Sequence, residues 1–165
     1  MSLNREFEST GNWLFKHRSF LPLFIIPFLF YLLLGSISGD LEYILLYSGL
    51  VISFIGEGIR IFTVAYTPSG TSGRNTKQQL ADTLNTTGIY SLLRHPLYLG
   101  NFFMFLGPFI FTGNIYGISI FILIFWLYYE RIMYAEEAFL IHKFENEYSE
   151  WASDTPAFIP KISAY

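Results

Sequence analysis

The chain has 165 residues, enough for one domain, of which 52% are hydrophobic, 20% aromatic and only 14% charged, whereas a soluble domain is nearer a quarter charged. A net charge of −3 offers no basic surface for nucleic-acid phosphates, and the absence of cysteine excludes disulfides, thiolate metal sites and cysteine nucleophiles. His17, His95 and His142 lie far apart without metal-ligand spacing, so neither a metal nor a nucleic-acid partner is expected.

In chain order, residues 1–19 form a basic arm of amphipathic character carrying Arg5, Lys16 and Arg18. Glu6 and Glu8 come early and no small-residue cleavage site follows the next apolar run, so a signal peptide is not expected. Phe20 to Ser38 is an uncharged run of about nineteen residues, long enough for roughly 30 Å of hydrocarbon. It contains Pro22 and Pro27, which membrane helices tolerate. After Asp40 and Glu42, a second apolar run extends from Tyr43 to about Tyr66, interrupted only by Glu57 and Arg60. A loop over 67–95, rich in Gly, Thr, Ser and Asn, follows. Leu97 to Tyr129 carries no charge; as one helix it would be about 50 Å long, too long for a single span. Gly113-Asn114 is a turn signal near its middle. The run therefore reads as a hairpin, with a short span from Leu97 to about Thr112 and a second from about Ile115 to Tyr134. The tail begins as an amphipathic helix, with Phe139, Leu140, Phe144 and Tyr148 at helical spacing, and Pro156 and Pro160 end it.

Four spans put both termini on one side. All ten Lys and Arg fall on that side, and the two short opposite loops carry none. The positive-inside rule makes that side cytoplasmic. The expected fold is a single all-α integral membrane domain of about four transmembrane helices in two hairpins, both termini cytoplasmic, with a C-terminal cytoplasmic amphipathic helix. Its parts are an arm (1–19), a hairpin (20–66), a cytoplasmic loop (67–95), a second hairpin (96–134) and a tail (135–165).

Several groups could carry chemistry. Glu57 and Arg60 stand at i and i+3 on one helix face at membrane depth, where charges are costly and usually face a cavity or each other. They either line a polar site, or form a pair from which Arg60 reaches the interface. Gly56 and Gly58 flank Glu57 and would admit a neighbouring helix or a ligand. The loop Pro68-Ser69-Gly70-Thr71-Ser72-Gly73-Arg74-Asn75-Thr76 is either an anion cradle or a plain solvated loop. Arg94 and His95 stand immediately before Pro96, a residue suited to the first turn of a helix, at a terminus that favours anions. They either form a site or anchor the helix at lipid headgroups. Glu136 and Glu137 follow the last span; they suit an amino group or ribose hydroxyls, or mark an acidic exit from the membrane. Trp126, Tyr128 and Tyr129 read as an interfacial belt. No GxGxxG, P-loop, HExxH or GxSxG is present, so a nucleotide-like cofactor would bind without a Rossmann fold.

The run Gly88 to Gly100, with Arg94-His95-Pro96-Leu97-Tyr98-Leu99-Gly100 at its core, is followed some forty residues on by Tyr134-Ala135-Glu136-Glu137. With Phe144-Glu145-Asn146-Glu147-Tyr148 and Phe158-Ile159-Pro160, this pattern resembles the isoprenylcysteine carboxyl methyltransferase and phospholipid methyltransferase superfamily over roughly residues 50–160. The paired motifs at this spacing are fairly specific; either alone is weak. Asn146 departs from the family, which often has Gly nearby. The resemblance implies a helical membrane methyltransferase using S-adenosyl-L-methionine. It implies that His95, Tyr98, Leu99 and Gly100 contact the cofactor, with Glu136 and Glu137 on its amino group or ribose.

For the acceptor, the loop Thr71 to Thr76 looks like bacterial members that methylate a lipid phosphate, of the lipid A 1-phosphate methyltransferase kind. That implies the bacterial inner membrane, with the active site facing the cytoplasm and a membrane lipid as substrate. Arg60, Arg74, Lys77 and Arg94 are a surplus of cations that a phosphate would use. The expected roles are acceptor binding for Arg60, Arg74 and Asn75, and catalysis for Arg94, Glu57 and Arg60. A carboxyl of a prenylcysteine-like acceptor and the amine of an aminophospholipid remain as alternatives; the amine would need Glu57 or His95 as a proton sink. A small membrane scaffold is the non-enzymatic alternative, and a small transporter ranks last.

Overall fold

Each apolar run becomes helical, but lengths and pairings depart from two matched hairpins. The computed structural model describes residues 2–35, 40–67, 79 and 81–161. Among these there is no strand. The order is α1 (Leu3–His17), a 3-10 turn (Leu21–Phe24) running into α2 (Ile25–Leu33), α3 (Asp40–Tyr66), a second 3-10 turn (Gly88–Ser91), α4 (Pro96–Phe111) and α5 (Ile115–Asp154).

Two helices, α3 and α5, are long and apolar enough to cross a bilayer, and a third span exists if α1 and the Leu21–Leu33 segment are read as one broken element. Those two pieces meet at 80°. The expected first span over 20–38 is thus shortened to Leu21–Leu33, with Pro22 in its opening 3-10 turn; residues 36–39 lie outside the described residues. The turn at Gly113-Asn114 is as expected. Gly113 takes φ 64°, which a glycine adopts freely. Asn114 caps α5, its side-chain oxygen accepting from the Gly117 N–H at 3.0 Å. The 16-residue α4 is about 24 Å long and shorter than the hydrocarbon layer.

The pairing differs more. The most extensive packing is not within a predicted hairpin but between α3 and α4, across the intervening loop. In lipid, helices gain little from burying apolar side chains, so close backbone approach decides which ones associate. Gly49 and Gly56 of α3 lie on Gly107, Gly100 and Met104 of α4. A Cβ on Gly49 would stand 2.5 Å from the Gly107 carbonyl oxygen. Ser53, between them, donates its hydroxyl to the Met104 carbonyl at 3.1 Å. Of the two glycines beside Glu57, Gly56 therefore serves helix packing, whereas a Cβ on Gly58 would meet nothing within 4 Å. The outer face of α3 exposes Tyr47, Val51, Phe54, Ile55, Ile61 and Phe62, as suits contact with acyl chains.

On the inner side, α2 packs Leu32 into the space left by Gly117 of α5. A buried aromatic series fills the centre: the rings of Phe109 and Phe121 are 4.6 Å apart, and those of Phe125 and Tyr129 are 4.2 Å apart. α5 runs on past Tyr134 into the tail before it kinks, and a second helical stretch continues to Asp154. The kink comes at Glu145, with φ 45° and ψ −113°, a conformation that favours glycine. Leu140 before that point and Tyr148 after it pack on Ala81. The chain then returns alongside residues 92–95. The amides of Arg94 and His95 donate to the Pro156 and Ala157 carbonyls at 2.9 and 3.1 Å, and the Lys161 amide donates to the Leu92 carbonyl at 3.0 Å.

Candidate functional site

Pro96 opens α4, and His95 is its N-cap at φ −123°, ψ 59°. The returning tail clamps the amides of Arg94 and His95, fixing both side chains over α5. There Glu136 and Glu137, adjacent in sequence, address opposite sides of one imidazole. Glu137 Oε1 is 2.9 Å from His95 Nε2, and Glu136 Oε2 is 3.6 Å from Nδ1. The Tyr98 hydroxyl donates to Glu136 Oε2 at 2.9 Å. Arg94 Nη1 lies 3.1 Å from Glu137 Oε2 and 3.5 Å from the Tyr148 hydroxyl. His95 is 5% exposed and Glu136 7%, so this is a buried cluster rather than a headgroup anchor.

Its protonation follows from its geometry. Burial is the largest influence on His95 and pushes its pKa down, but hydrogen bonds and charge from Glu136 and Glu137 outweigh it, leaving the pKa above its ordinary value. An imidazolium can donate from both nitrogens, matching the two carboxylates. Burial pushes Glu136 up, yet the bond and charge of His95, the Tyr98 hydroxyl and the Arg18 charge hold it below the ordinary carboxylate value. With His95 protonated, two carboxylates face one imidazolium and one guanidinium, and their charges balance.

A second polar chain crosses from α3. The Arg60 Cγ fills the notch at Gly100. Its Nη1 hydrogen-bonds to Asn101 Oδ1, and its Nε is 3.4 Å from Glu57 Oε2. Asn101 Nδ2 donates to the Tyr129 hydroxyl at 2.9 Å.

Both chains border one cavity of about 500 Å³, within the usual range for ligand sites. Its polar end carries Asn85, Tyr90, Arg94, His95, Glu136 and Trp151, and its other end is walled by Leu23, Ile26, Leu29, Phe105, Pro108 and Phe109. Three buried donors at the polar end, Asn85 Nδ2, Arg94 Nε and Trp151 Nε1, have no hydrogen-bond partner among the described residues. Unmet buried donors are costly and point to a ligand. Among the described residues, no group of three or more His, Asp or Glu could hold a metal ion.

Of the residues singled out from sequence, Arg60, Arg94, His95, Tyr98 and Glu136 share this cavity. Glu137 stands behind it, bracing His95 and Arg94. Glu57 lies behind Arg60. Leu99 and Gly100 are not among its lining, and Gly100 instead makes the α3–α4 contact. Arg74 and Asn75 lie outside the described residues. Tyr129, read as part of an interfacial belt, is 5% exposed and hydrogen-bonded inside, whereas Trp126 is 45% exposed. Sequence reasoning passed over Arg18, Asn85, Asn101 and Trp151. Asn101 carried a signal, being a polar group in an uncharged run, which deserves the suspicion given to Glu57. The others are ordinary loop or tail residues until the fold gathers them.

The chain matches the phospholipid methyltransferase family over residues 45–147. It is 40% identical over 84 residues to the cobalt-zinc-cadmium resistance protein CzcN of Cupriavidus metallidurans, covering 51% of this chain and 38% of that protein. To protein-S-isoprenylcysteine O-methyltransferase of Schizosaccharomyces pombe it is 35% identical over 79 residues, covering 48% and 34%. To the Saccharomyces cerevisiae protein of the same name it is 32% identical over 117 residues, covering 69% and 48%. The chain thus spans half or less of the length of these curated relatives.

Proposed function

The chain belongs to the phospholipid methyltransferase family, and from that premise we propose that it transfers a methyl group from S-adenosyl-L-methionine to an anionic oxygen on a lipid-borne acceptor. The observation that carries this is the two-ended cavity, polar around His95 and Glu136 and apolar between α2 and α4. The polar end suits the cofactor. The Glu136 carboxylate would face its ammonium, and the unmet donors of Asn85, Arg94 and Trp151 suit its carboxylate and base. Tyr90, whose hydroxyl burial pushes up to about 12, stays neutral beside them.

When bound, S-adenosyl-L-methionine supplies a methyl group that bonds to the acceptor oxygen as the carbon–sulfur bond breaks and sulfur keeps the electron pair. The acceptor oxygen loses its negative charge, and no proton has to be removed. The protein's work is then positioning and exclusion of water. Glu137 and Arg94 hold His95, His95 and Tyr98 hold Glu136, and Arg60 is aimed by Glu57 and Asn101. The apolar wall from Leu23 to Leu29 takes the acceptor's chains. An amine acceptor fits less well, because of the two expected proton sinks His95 is engaged on both nitrogens and Glu57 is paired with Arg60 outside the cavity lining.

Between the two anions, a carboxylate of prenylcysteine type has the stronger support. Relatives are named protein-S-isoprenylcysteine O-methyltransferases. The surplus of cations that favoured a lipid phosphate shrinks, since Arg94 serves Glu137 and Arg60 serves Glu57. We propose that the site faces the cytoplasm at a bacterial inner membrane, a reading supported by the gathering of Lys and Arg on one side of the spans and by the resemblance to bacterial members. The scaffold alternative predicts no cofactor binding. Calorimetry on detergent-purified protein should show saturable binding of S-adenosyl-L-methionine, lost in His95→Ala. Labelled methyl should then enter an S-farnesylcysteine probe in preference to phosphatidic acid. Absence of saturable binding would reject the enzyme reading.

A further inference from the structure

We infer that Arg18, in the N-terminal arm and outside the stretch that matches the family, is the residue that selects an anionic acceptor. The inference rests on the proposed methyl transfer to a lipid-borne anion and names the determinant of its substrate class.

Arg18 is the C-cap of α1, its amide donating to the Phe15 carbonyl at 3.3 Å. α1 is firmly seated. Gly11 lies against the α5 backbone at Arg131, the Arg131 guanidinium sits 4.5 Å from the Phe7 ring, and its Nη1 is 3.3 Å from the Thr10 hydroxyl. From Arg18 the chain bends by 80° into the segment whose Leu23, Ile26 and Leu29 form the apolar wall of the cavity. Arg18 itself lines the cavity. It is the last cation before that wall begins, and it stands on the junction between the two ends.

An amphiphile whose chain occupies the apolar end must leave its headgroup at this junction. The methyl acceptor oxygen belongs to that headgroup. Arg18 supplies what an anionic headgroup needs there. Its guanidinium carbon is 3.7 Å from the centre of the buried Phe15 ring, which shields it from water on one face. Charge-assisted bonds strengthen in such a setting, and the planar fork matches a carboxylate in two-pronged fashion. The charge also reaches inward, since Arg18 is among the groups that hold Glu136 ionised. Arg60 lines the same cavity from α3, where Glu57 and Asn101 hold it. The family match begins at residue 45, after α1, α2 and Arg18. The core shared with the relatives would then carry the cofactor, and the arm would choose what is methylated.

The test compares binding of an S-farnesylcysteine derivative with binding of its own methyl ester, which has the same chain and no charge. Purified full-length protein in detergent, without cofactor, is titrated by tryptophan fluorescence. The wild type should prefer the acid by roughly tenfold or more, the scale of a charge-assisted hydrogen bond. Arg18→Gln should bring the ratio to about one, and Arg18→Lys should keep part of it, retaining charge without the fork. Lys16→Gln, an exposed cation on the same helix, should leave the ratio unchanged. Equal affinity for acid and ester in the wild type, or a preference that survives Arg18→Gln and Arg18→Lys alike, overturns the inference. Calorimetry with S-adenosyl-L-methionine on the same samples separates the two ideas. Loss of the acid preference in Arg18→Gln with cofactor binding intact supports the assignment, whereas a wild type that binds no cofactor defeats the methyltransferase reading alone.

Discussion

The two ends of α4 are held by opposite means. From its second turn to its C-terminal end the helix touches α3 through missing side chains: Gly107 on Gly49, and Gly100 on Gly56 with the Arg60 methylenes in the notch. At its N-terminal end it is held by full-sized polar groups that cancel one another, Arg94 and His95 against Glu136 and Glu137. The first contact tolerates no addition and the second no subtraction. The contrast follows from the surroundings. Where acyl chains compete for every apolar face, only backbone proximity distinguishes one helix partner from another. Where the helix leaves the membrane, charges become affordable if each has a partner.

The largest expected effect comes from filling the glycine seam. Gly56→Leu would drive a side chain into the α4 backbone and should cost at least about 3 kcal/mol, at or beyond the upper end for overpacked sites. Gly58→Ala, two residues on with open space around its Cβ, should lie within about 1 kcal/mol of wild type or be slightly stabilising. Thermal unfolding in detergent checks both. Similar losses at the two positions would mean that the seam is not what joins α3 to α4.

Subtraction from the polar cluster comes next. Glu136→Ala leaves His95 with one carboxylate and Tyr98 with no acceptor, and should cost about 2–3 kcal/mol, below the full penalty for a broken buried pair because Glu137 remains. It should also abolish binding of S-adenosyl-L-methionine. A variant that loses stability but binds the cofactor normally would make the cluster a structural clasp only.

The smallest effect is the pH response of that cluster. His95 has a raised pKa, so its contribution is complete below its ordinary value of 6.5 and is lost as pH rises through the folded value. Glu136 has a lowered pKa, so its contribution is complete above its ordinary value of 4.5 and is lost as pH falls through the folded value. The pair therefore stabilises most between about 4.5 and 6.5, and Tm should decline as pH rises above that window. His95→Gln should flatten that alkaline decline and also weaken the loss on the acid side, because the bond and charge of His95 are what chiefly lower Glu136. An unchanged alkaline slope in the variant would assign the loss to other groups.

Much of this was legible in one dimension. Uncharged runs report on lipid whatever their partners, so the helical membrane class followed from composition, and Gly113-Asn114 marked its turn because glycine's freedom and an asparagine cap are local properties. The motif around Arg94-His95-Pro96 and the Glu136-Glu137 pair pointed to the family that residues 45–147 match. What the chain order could not convey was which apolar helix meets which, because every outward face is equally greasy and the decision rests on glycines about fifty residues apart. It could not show that Glu136 and Glu137 converge on a single imidazole, since neighbours on a helix point apart unless something stands between them. Nor could it place Arg18, which in the sequence is one of three cations before an apolar run. Only the bend after α1, held by Gly11 against α5, turns that charge toward the cavity instead of the lipid headgroups.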